Sequence, residues 1–235
     1  MANAREILSR MKSVQDTRKI TNAMYLISST KLKKSKKLLE ETEPYFYSLQ
    51  DLIRRILRHM PDVEHFYFNP RKEIKEEDRI KGLIVITGDK GLAGAYNHNV
   101  LKMAQEWMEQ SKNHRLYVVG ELGRHYFASK HIPVEEQFHY TVQNPTMHRA
   151  RLISSTVLED YEQGQLDEVW ILYTQMINSM KMEAEIVQLL PLKREDFSNI
   201  VIPPDIIQEE IQMVPSPSAV MDNVVPNYVT GFIFG

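Results

Sequence analysis

The feature that most constrains the fold is a long stretch at the start of the chain that lacks helix breakers. Residues 3–60 contain no glycine and one proline, Pro44. Before Pro44, apolar residues recur every three or four positions, which predicts a helix with an apolar seam narrower than a globular core face. The seam consists of Ile7, Met11, Val14, Ile20, Met24 and Ile27, with Thr17 filling the gap.

The predicted helix is too long for a small domain to cover. From Asn3 to Glu43 it spans about 60 Å at 1.5 Å per residue. It is therefore expected to project, and its seam to need a partner from outside the domain. After Pro44 the apolar residues become denser, which predicts a helix that returns to a globular body.

Charge is uneven along this helix. Residues 1–37 hold ten lysines and arginines but only two acidic residues, Glu6 and Asp16, which leaves a local formal charge of +8. A run of charge is usually a solvated helix face. Because nearly every charge here is positive, the run predicts an acidic partner, although the whole chain is almost neutral, with 29 basic and 31 acidic residues.

Composition excludes several classes of protein. The chain has no cysteine, which excludes disulfides, thiolate metal sites and cysteine nucleophiles. No apolar run approaches the roughly 20 residues that cross a bilayer. The first residues lack an apolar signal core and leave no room for a transit peptide. These features predict a soluble, cytoplasmic protein whose contact with a membrane goes through a partner.

The middle of the chain predicts an α/β body. Short apolar runs bounded by glycine alternate with amphipathic stretches, which is typical of a small, mostly parallel, Rossmann-like sheet with helices on both faces. The last two strands are expected to pair antiparallel through a polar turn around Asn178 and Ser179. The predicted strands are 83–86, 116–119, 168–174 and 183–190, and the predicted helices are 97–110, 121–130 and 146–162.

Near its end the chain signals another helix. Ser216 is a suitable N-cap and Pro217 a suitable first helical residue, and apolar residues then continue at helical spacing up to Gly235. The predicted domains are 1–60, the long helix and its return; 61–81, a connecting loop; 82–192, the α/β domain; 193–214, a proline-rich connection; and 215–235, the start of the last helix.

A glycine-rich segment is the one candidate for ligand chemistry. Gly88, Gly91 and Gly94 lie between a predicted strand and a predicted helix, where backbone amides can bind phosphate. The Walker pattern requires Lys and then Ser or Thr directly after its last glycine, whereas Gly94 precedes Ala95. The dinucleotide pattern G-x-G-x-x-G is also absent. A tight structural connection is therefore predicted rather than a nucleotide site.

No other pattern predicts catalysis. The eight histidines include no pair four residues apart, and the G-x-S-x-G turn of a serine hydrolase is missing. Adjacent glutamates such as Glu76 and Glu77 are more simply solvated faces than acid/base pairs. The prediction is a protein without catalytic residues, cofactor or metal.

Several segments carry a resemblance to one family. The N-terminal helix contains ILSRMKSVQDTRKITNAM at 7–24 and STKLKKS at 29–35. These segments, and three further ones, resemble the gamma subunits of bacterial F-type ATP synthases over essentially the whole chain. The further segments are Thr87–Asn97, Tyr173–Leu192 and Pro215–Pro217.

The resemblance implies a central rotor. The shaft would be a two-helix coiled coil that turns inside a ring of alpha and beta subunits and couples proton flow through a membrane ring to ATP synthesis or hydrolysis, regulating ATPase activity. It would be a non-catalytic subunit, since the catalytic sites lie on beta. Its implied partners are the alpha, beta, epsilon and delta subunits and the membrane rotor ring, and its implied place is peripheral, on the cytoplasmic face of the bacterial cell membrane.

The resemblance also suggests contact residues for the alpha/beta ring. One group is expected to face acidic loops of beta, and the other to lie nearer the bearing and the coupling contact. The first group is Lys31, Lys33, Lys34, Lys36 and Lys37, and the second is Arg10, Lys19, Ile20, Thr21 and Met24.

Two other functions remain open from the sequence. The family's second shaft helix would start near Pro226 and run far past Gly235, so most of it is expected to be lacking. The chain could then be a fragment or assembly decoy that binds epsilon or beta without transmitting torque. A basic helical arm could instead bind nucleic acid, but few aromatic residues precede Tyr45 to stack on bases.

Overall fold

The fold was analysed in a computed structural model that describes residues 4–59, 64–68, 71, 73–178, 181–198 and 213–235. Contacts divide the chain into two compact units, Met1–Tyr45 and Phe46–Gly235. Within the described ranges, no helix is both long enough and apolar enough to span a bilayer. The five predicted domains remain a prediction, and 199–212 of the proline-rich connection lie outside the described residues.

The first helix, α1, runs from Ala4 to His59 without interruption. The sequence predicted a break at Pro44 and a separate returning helix, which differs from the structure; Asn3 lies outside the described residues. Proline removes one N–H and so leaves the Glu40 carbonyl without its helical donor. Glu40 and Pro44 are exposed, so water can hydrogen-bond to that carbonyl, and the helix continues.

The second unit contains a four-stranded sheet in the order β2-β1-β3-β4. Its strands are β1 Lys81–Ile86, β2 His114–Val119, β3 Glu168–Met176 and β4 Met182–Leu190. β1 pairs parallel with β2 and β3, and β4 pairs antiparallel with β3. The predicted mostly parallel sheet with one antiparallel pair is confirmed. Of the predicted turn between β3 and β4, Ser179 lies outside the described residues.

Of the remaining helices, four lie close to their predicted positions, and the five-residue helix Arg194–Ser198 was not predicted. Thr146 and Ser216 are the N-caps of α4 and α6, because their hydroxyls accept hydrogen bonds from Arg149 N–H and Ala219 N–H, both at 3.2 Å. The helices are α2 Tyr96–Gln110, α3 Glu121–Ser129, α4 Met147–Glu162, α5 Arg194–Ser198 and α6 Pro217–Phe234. Short 3-10 turns occupy Phe66–Phe68 and Glu76–Asp78.

The sheet is covered on both faces because alternate side chains of a strand point to opposite sides. Leu83 and Val85 of β1 join the cluster that contains residues of α2 and α3. Ile84, between them, joins the larger cluster, which contains residues of α4, α6 and the last turns of α1. The helices on both faces confirm the predicted architecture.

The carboxyl ends of β1 and β2 come together at Gly120, where α3 begins. Gly120 has a φ of 97°, a conformation that side chains with a Cβ rarely adopt. A Cβ on Gly120 would overlap the carbonyl oxygen of Thr87, which follows β1. This close approach requires glycine for both conformational and steric reasons.

We expect Gly120→Ala to lower the free energy of unfolding by about 2–4 kcal/mol, because it adds backbone strain to a steric overlap. Gly91→Ala is the matched control, since a Cβ there meets no atom within 4 Å; its stability should change by less than about 1 kcal/mol. Urea unfolding followed by circular dichroism measures both. Equal stability of the two variants would contradict the proposed constraint.

Candidate functional site

The first candidate surface is the apolar seam on the part of α1 within Met1–Tyr45. Its six apolar side chains are 45–67% exposed, the lowest value being that of Met24 and the highest that of Val14. Exposed apolar side chains are common when scattered singly, but a continuous row marks a surface for another molecule. The prediction that the seam is exposed within the chain is confirmed.

Helix geometry divides the seam into two parts. A helix has 3.6 residues per turn, so a step of three residues falls about 60° short of a full turn. The two successive steps from Val14 through Thr17 to Ile20 therefore move the row by about a third of a turn. The single seam predicted from spacing is therefore two rows on different faces of the helix. The first row contains Ile7, Met11 and Val14, and the second row contains Ile20, Met24 and Ile27.

The first row continues through residues that the sequence analysis missed. Tyr25, Leu32 and Leu39 are exposed by 70%, 47% and 41% and follow one another at seven-residue steps. Tyr25 lies eighteen residues after Ile7, which is five complete turns, so both lie on the same face. A search at heptad spacing onward from Met11 would have found this row.

The lysines predicted to face beta cover more than half of the helix circumference. Lys31, Lys33, Lys34, Lys36 and Lys37 lie within seven residues, almost two turns, and all are exposed. Lys37 lies 3.7 Å from Glu41, whereas the other four take no part in an ion pair among the described residues. Their charge is therefore available to an acidic partner from several directions.

The residues predicted for the bearing are exposed on the same unit, and three of them make contacts inside the helix. Arg10 pairs with Glu6 at 2.8 Å, and Lys19 with Asp16 at 3.4 Å. Exposed pairs of this kind contribute only about 0.3–0.5 kcal/mol. The Thr21 hydroxyl donates to a backbone carbonyl one turn earlier at 2.9 Å. These contacts are weak enough to be exchanged for contacts with a partner.

The second candidate is the glycine-rich segment after β1, in the unit Phe46–Gly235. Gly88 N–H donates to Asn97 Oδ1 at 2.7 Å, and the Gly88 carbonyl accepts from Leu122 N–H at 3.1 Å. The buried Thr87 hydroxyl donates to the Val119 carbonyl and accepts from Gly123 N–H, both at 3.0 Å. Much of the polar backbone here is thus engaged within the chain.

Asp89 extends this arrangement. Its carboxylate accepts from Glu121 N–H at 3.3 Å and from Val142 N–H at 3.1 Å. The carboxylate occupies the N-terminus of α3, where negative charge is favourable, so the chain supplies its own anion at this point. The contacts favour the predicted structural role of the segment. Gly94 has a positive φ of 57°, whereas nothing in the structure explains Gly91.

Titratable groups near this segment form no catalytic arrangement among the described residues. His139 Nε2 lies 2.7 Å from Glu121 Oε1, and this hydrogen bond holds the pKa of the Glu121 carboxyl below its ordinary value. Tyr96, the first residue of α2, has its pKa raised by burial. The described residues contain no group of three or more His, Cys, Asp or Glu suited to a metal ion.

The chain is similar to known proteins of one family over almost its whole length. The family model described as ATP synthase matches residues 3–235. The ATP synthase gamma chain of Ruminiclostridium cellulolyticum is 42% identical over 238 residues, which are 99% of this chain and 79% of that protein. The gamma chain of Caldanaerobacter subterraneus subsp. tengcongensis is 40% identical over 237 residues, covering 98% and 80%.

A solved structure shares the fold. It is the central stalk and c-ring of the Tetrahymena thermophila mitochondrial ATP synthase, with a TM-score of 0.63. The likeness covers 92% of this chain and 89% of that chain at 18% sequence identity.

Exposed apolar rows on a long helix, together with a glycine-rich segment whose polar groups are bonded within the chain, are typical of a protein that contacts other proteins in an assembly. The chain belongs to the family of bacterial ATP synthase gamma chains. Members are the rotor subunit of the central stalk and carry no catalytic site, so the predicted family, function and non-catalytic character are confirmed. The complex is membrane-associated.

We expect Asp89→Ala to lower the melting temperature by about 2–6 °C, because two backbone N–H groups lose their acceptor at a cost of about 1–2 kcal/mol. Lys90→Ala, at the exposed neighbouring position, should leave it unchanged within about 1 °C. Differential scanning calorimetry compares the two. An unchanged melting temperature for Asp89→Ala would show that the segment does not depend on this carboxylate.

Proposed function

We propose that this chain transmits torque between a membrane rotor ring and the alpha/beta ring of ATP synthase, and so couples ion flow to ATP synthesis or hydrolysis. The observation that carries the proposal is the exposed apolar surface of α1 within Met1–Tyr45. A surface of this kind needs a partner to bury it. The alpha and beta subunits, with a second shaft helix, are the partners that the family implies.

The lysines from Lys31 to Lys37 are proposed to face acidic loops of beta. A rotor must make contacts of similar strength at several angles, so long-range charge suits it better than interlocking pockets. Four of these lysines form no ion pair among the described residues, and the five cover about 220° of the helix circumference. An acidic loop would therefore meet positive charge over more than half of the rotational positions.

The residues nearer the start of α1 are proposed to lie at the bearing and the coupling contact. Ile20 and Met24 are exposed by 62% and 45%, and a flexible thioether can repack against changing neighbours. Arg10 and Lys19 can exchange their weak pairs for acidic groups of the ring. Thr21 keeps its hydroxyl oxygen as an acceptor, because its proton is used within the helix.

The unit Phe46–Gly235 is proposed to be the foot of the stalk. Its two-sided core makes it a rigid support, which a coupling element needs in order to pass on force. Epsilon and the membrane ring are its proposed partners, and delta belongs to the same complex. The proposed location is the cytoplasmic face of the bacterial cell membrane.

We expect Lys33→Glu/Lys34→Glu in the assembled ATP synthase to slow ion-driven ATP synthesis by on the order of tenfold, equivalent to about 1.4 kcal/mol on the barrier. The defect should shrink as salt rises toward 1 M, where the Debye length falls to about 3 Å. Synthesis in reconstituted vesicles measures the rate. Co-purification with beta and epsilon shows whether assembly is retained.

The matched control is Lys102→Glu/Lys112→Glu, which reverses two exposed charges on and just after α2. It should leave the rate within about twofold. If both double variants have the wild-type rate and salt dependence, the electrostatic part of the proposal is wrong. Normal assembly of wild-type chain with no coupled synthesis would instead support the assembly-decoy function.

A further inference from the structure

A cleft in the unit Phe46–Gly235 has the composition of a binding site. It has a volume of about 610 Å³ and lies where the turn Phe66–Phe68 meets the end of α4 and the start of α6. The cleft is open to solvent, because Glu162 is exposed and the Asp222 side chain is 55% exposed. The lining residues are Phe66, Tyr67, Arg71, Tyr161, Glu162 and Asp222.

Two carboxylates in the cleft are held in place by neutral donors. The Tyr67 hydroxyl donates to Glu162 Oε1 at 2.6 Å. His65 Nδ1 accepts from Tyr67 N–H at 3.3 Å, so its Nε2 carries the proton and donates to Asp222 Oδ1 at 3.0 Å. Each carboxylate therefore has one oxygen fixed. Among the described residues, neither forms an ion pair with lysine or arginine.

The arginine that lines the cleft does not neutralise these two carboxylates. Arg71 Nη1 donates to Asp167 Oδ1 and to the Leu166 carbonyl, both at 2.6 Å, and Nη2 donates to the Tyr161 carbonyl at 3.1 Å. Its charge is balanced by Asp167, which leaves a net charge of −2 from the other two carboxylates. The Arg71 guanidinium also lies 6.0 Å from the Tyr161 ring centroid.

Other ligand classes fit the cleft poorly. An anion would meet two carboxylates, and a metal ion would require more ligands than these two groups offer; the described residues hold no group of three or more metal-binding side chains. Burial and the hydrogen bond to Glu162 raise the pKa of Tyr67 well above its ordinary value, so the phenol stays a neutral donor. Tyr67 and Tyr161 are buried. Of the aromatic lining, Phe66, which contacts the rings of His65 and Tyr67, is the one with surface left to attract an organic cation.

We propose that this cleft binds an organic cation, an ammonium or guanidinium group, between the free oxygens of Glu162 and Asp222 and against the ring of Phe66. Carboxylates provide charge-assisted hydrogen bonds, and the ring attracts the cation through its negative face. This site goes beyond torque transmission. The cation is either a free small molecule or a lysine or arginine side chain of a partner.

The test uses ethylguanidinium chloride as probe and N-ethylurea as its neutral counterpart, with the full-length chain. Saturation-transfer NMR titration should give saturable binding of the cation and none of the urea. Glu162→Gln/Asp222→Asn should raise the dissociation constant at least tenfold. Because both amides retain an oxygen for Tyr67 and His65, the variant should keep the wild-type fold, which thermal unfolding checks.

The matched control is Glu106→Gln/Glu109→Gln, which removes two exposed charges from α2 on the opposite side of the sheet. It should bind ethylguanidinium like the wild type. Equal binding to all three proteins, or equal binding of the cation and the urea, would overturn the proposal. Neither result bears on the synthesis rates of the Lys33/Lys34 variants, so the two proposals fail separately.

Binding of ethylguanidinium to the assembled ATP synthase distinguishes the two sources of the cation. If a partner supplies it, the wild-type complex should no longer bind ethylguanidinium, and Glu162→Gln/Asp222→Asn should lower the yield of assembled complex. If the ligand is a free molecule, the complex should bind the probe as the isolated chain does and assemble with either variant. Both results support an organic-cation site.

Discussion

The helix α1 is buried at its end and exposed along its earlier turns, and the rest of the structure depends on this difference. The last turns of α1 bury Leu49, Ile53 and Ile56 in the core beneath the sheet, together with α4 and α6. The earlier turns keep their apolar rows exposed. Because hydrophobic stabilisation scales with the area removed from water, the chain stabilises the final turns of α1 by itself and leaves the earlier rows to a partner.

At the carboxyl ends of β1 and β2, the unit Phe46–Gly235 makes contacts within the chain where other proteins bind a ligand. Open α/β sheets commonly bind ligands beyond the carboxyl ends of their strands. Here Thr87, Asp89 and Gly120 use that edge for hydrogen bonds and close backbone approach. These contacts hold the edge in place, which the proposed role of this unit as the foot of the stalk requires.

Patterns of short range were predictable from the sequence, and those that depend on tertiary contact were not. The β-strands, the cap at Ser216 and the alternation of strands with helices follow from local periodicity and hydrogen-bonding side chains. The continuation of α1 through Pro44 depends on the exposure to water of the turn from Glu40 to Pro44. That Glu162 and Asp222, sixty residues apart, line the same cleft depends on how α4 and α6 pack, which no spacing rule contains. The contact residues for the ring remain predictions.

The arrangement of charge around α1 has a consequence for stepping. The five lysines cover about 220° of the helix circumference and leave about 140°, the face of Leu32 and Leu39, without positive charge. Their electrostatic potential therefore varies with angle. The apolar rows vary with angle too, because Ile7 and Ile27 lie on nearly opposite sides of the helix. Both charge and hydrophobic contact would then contribute to the dwell positions of the motor.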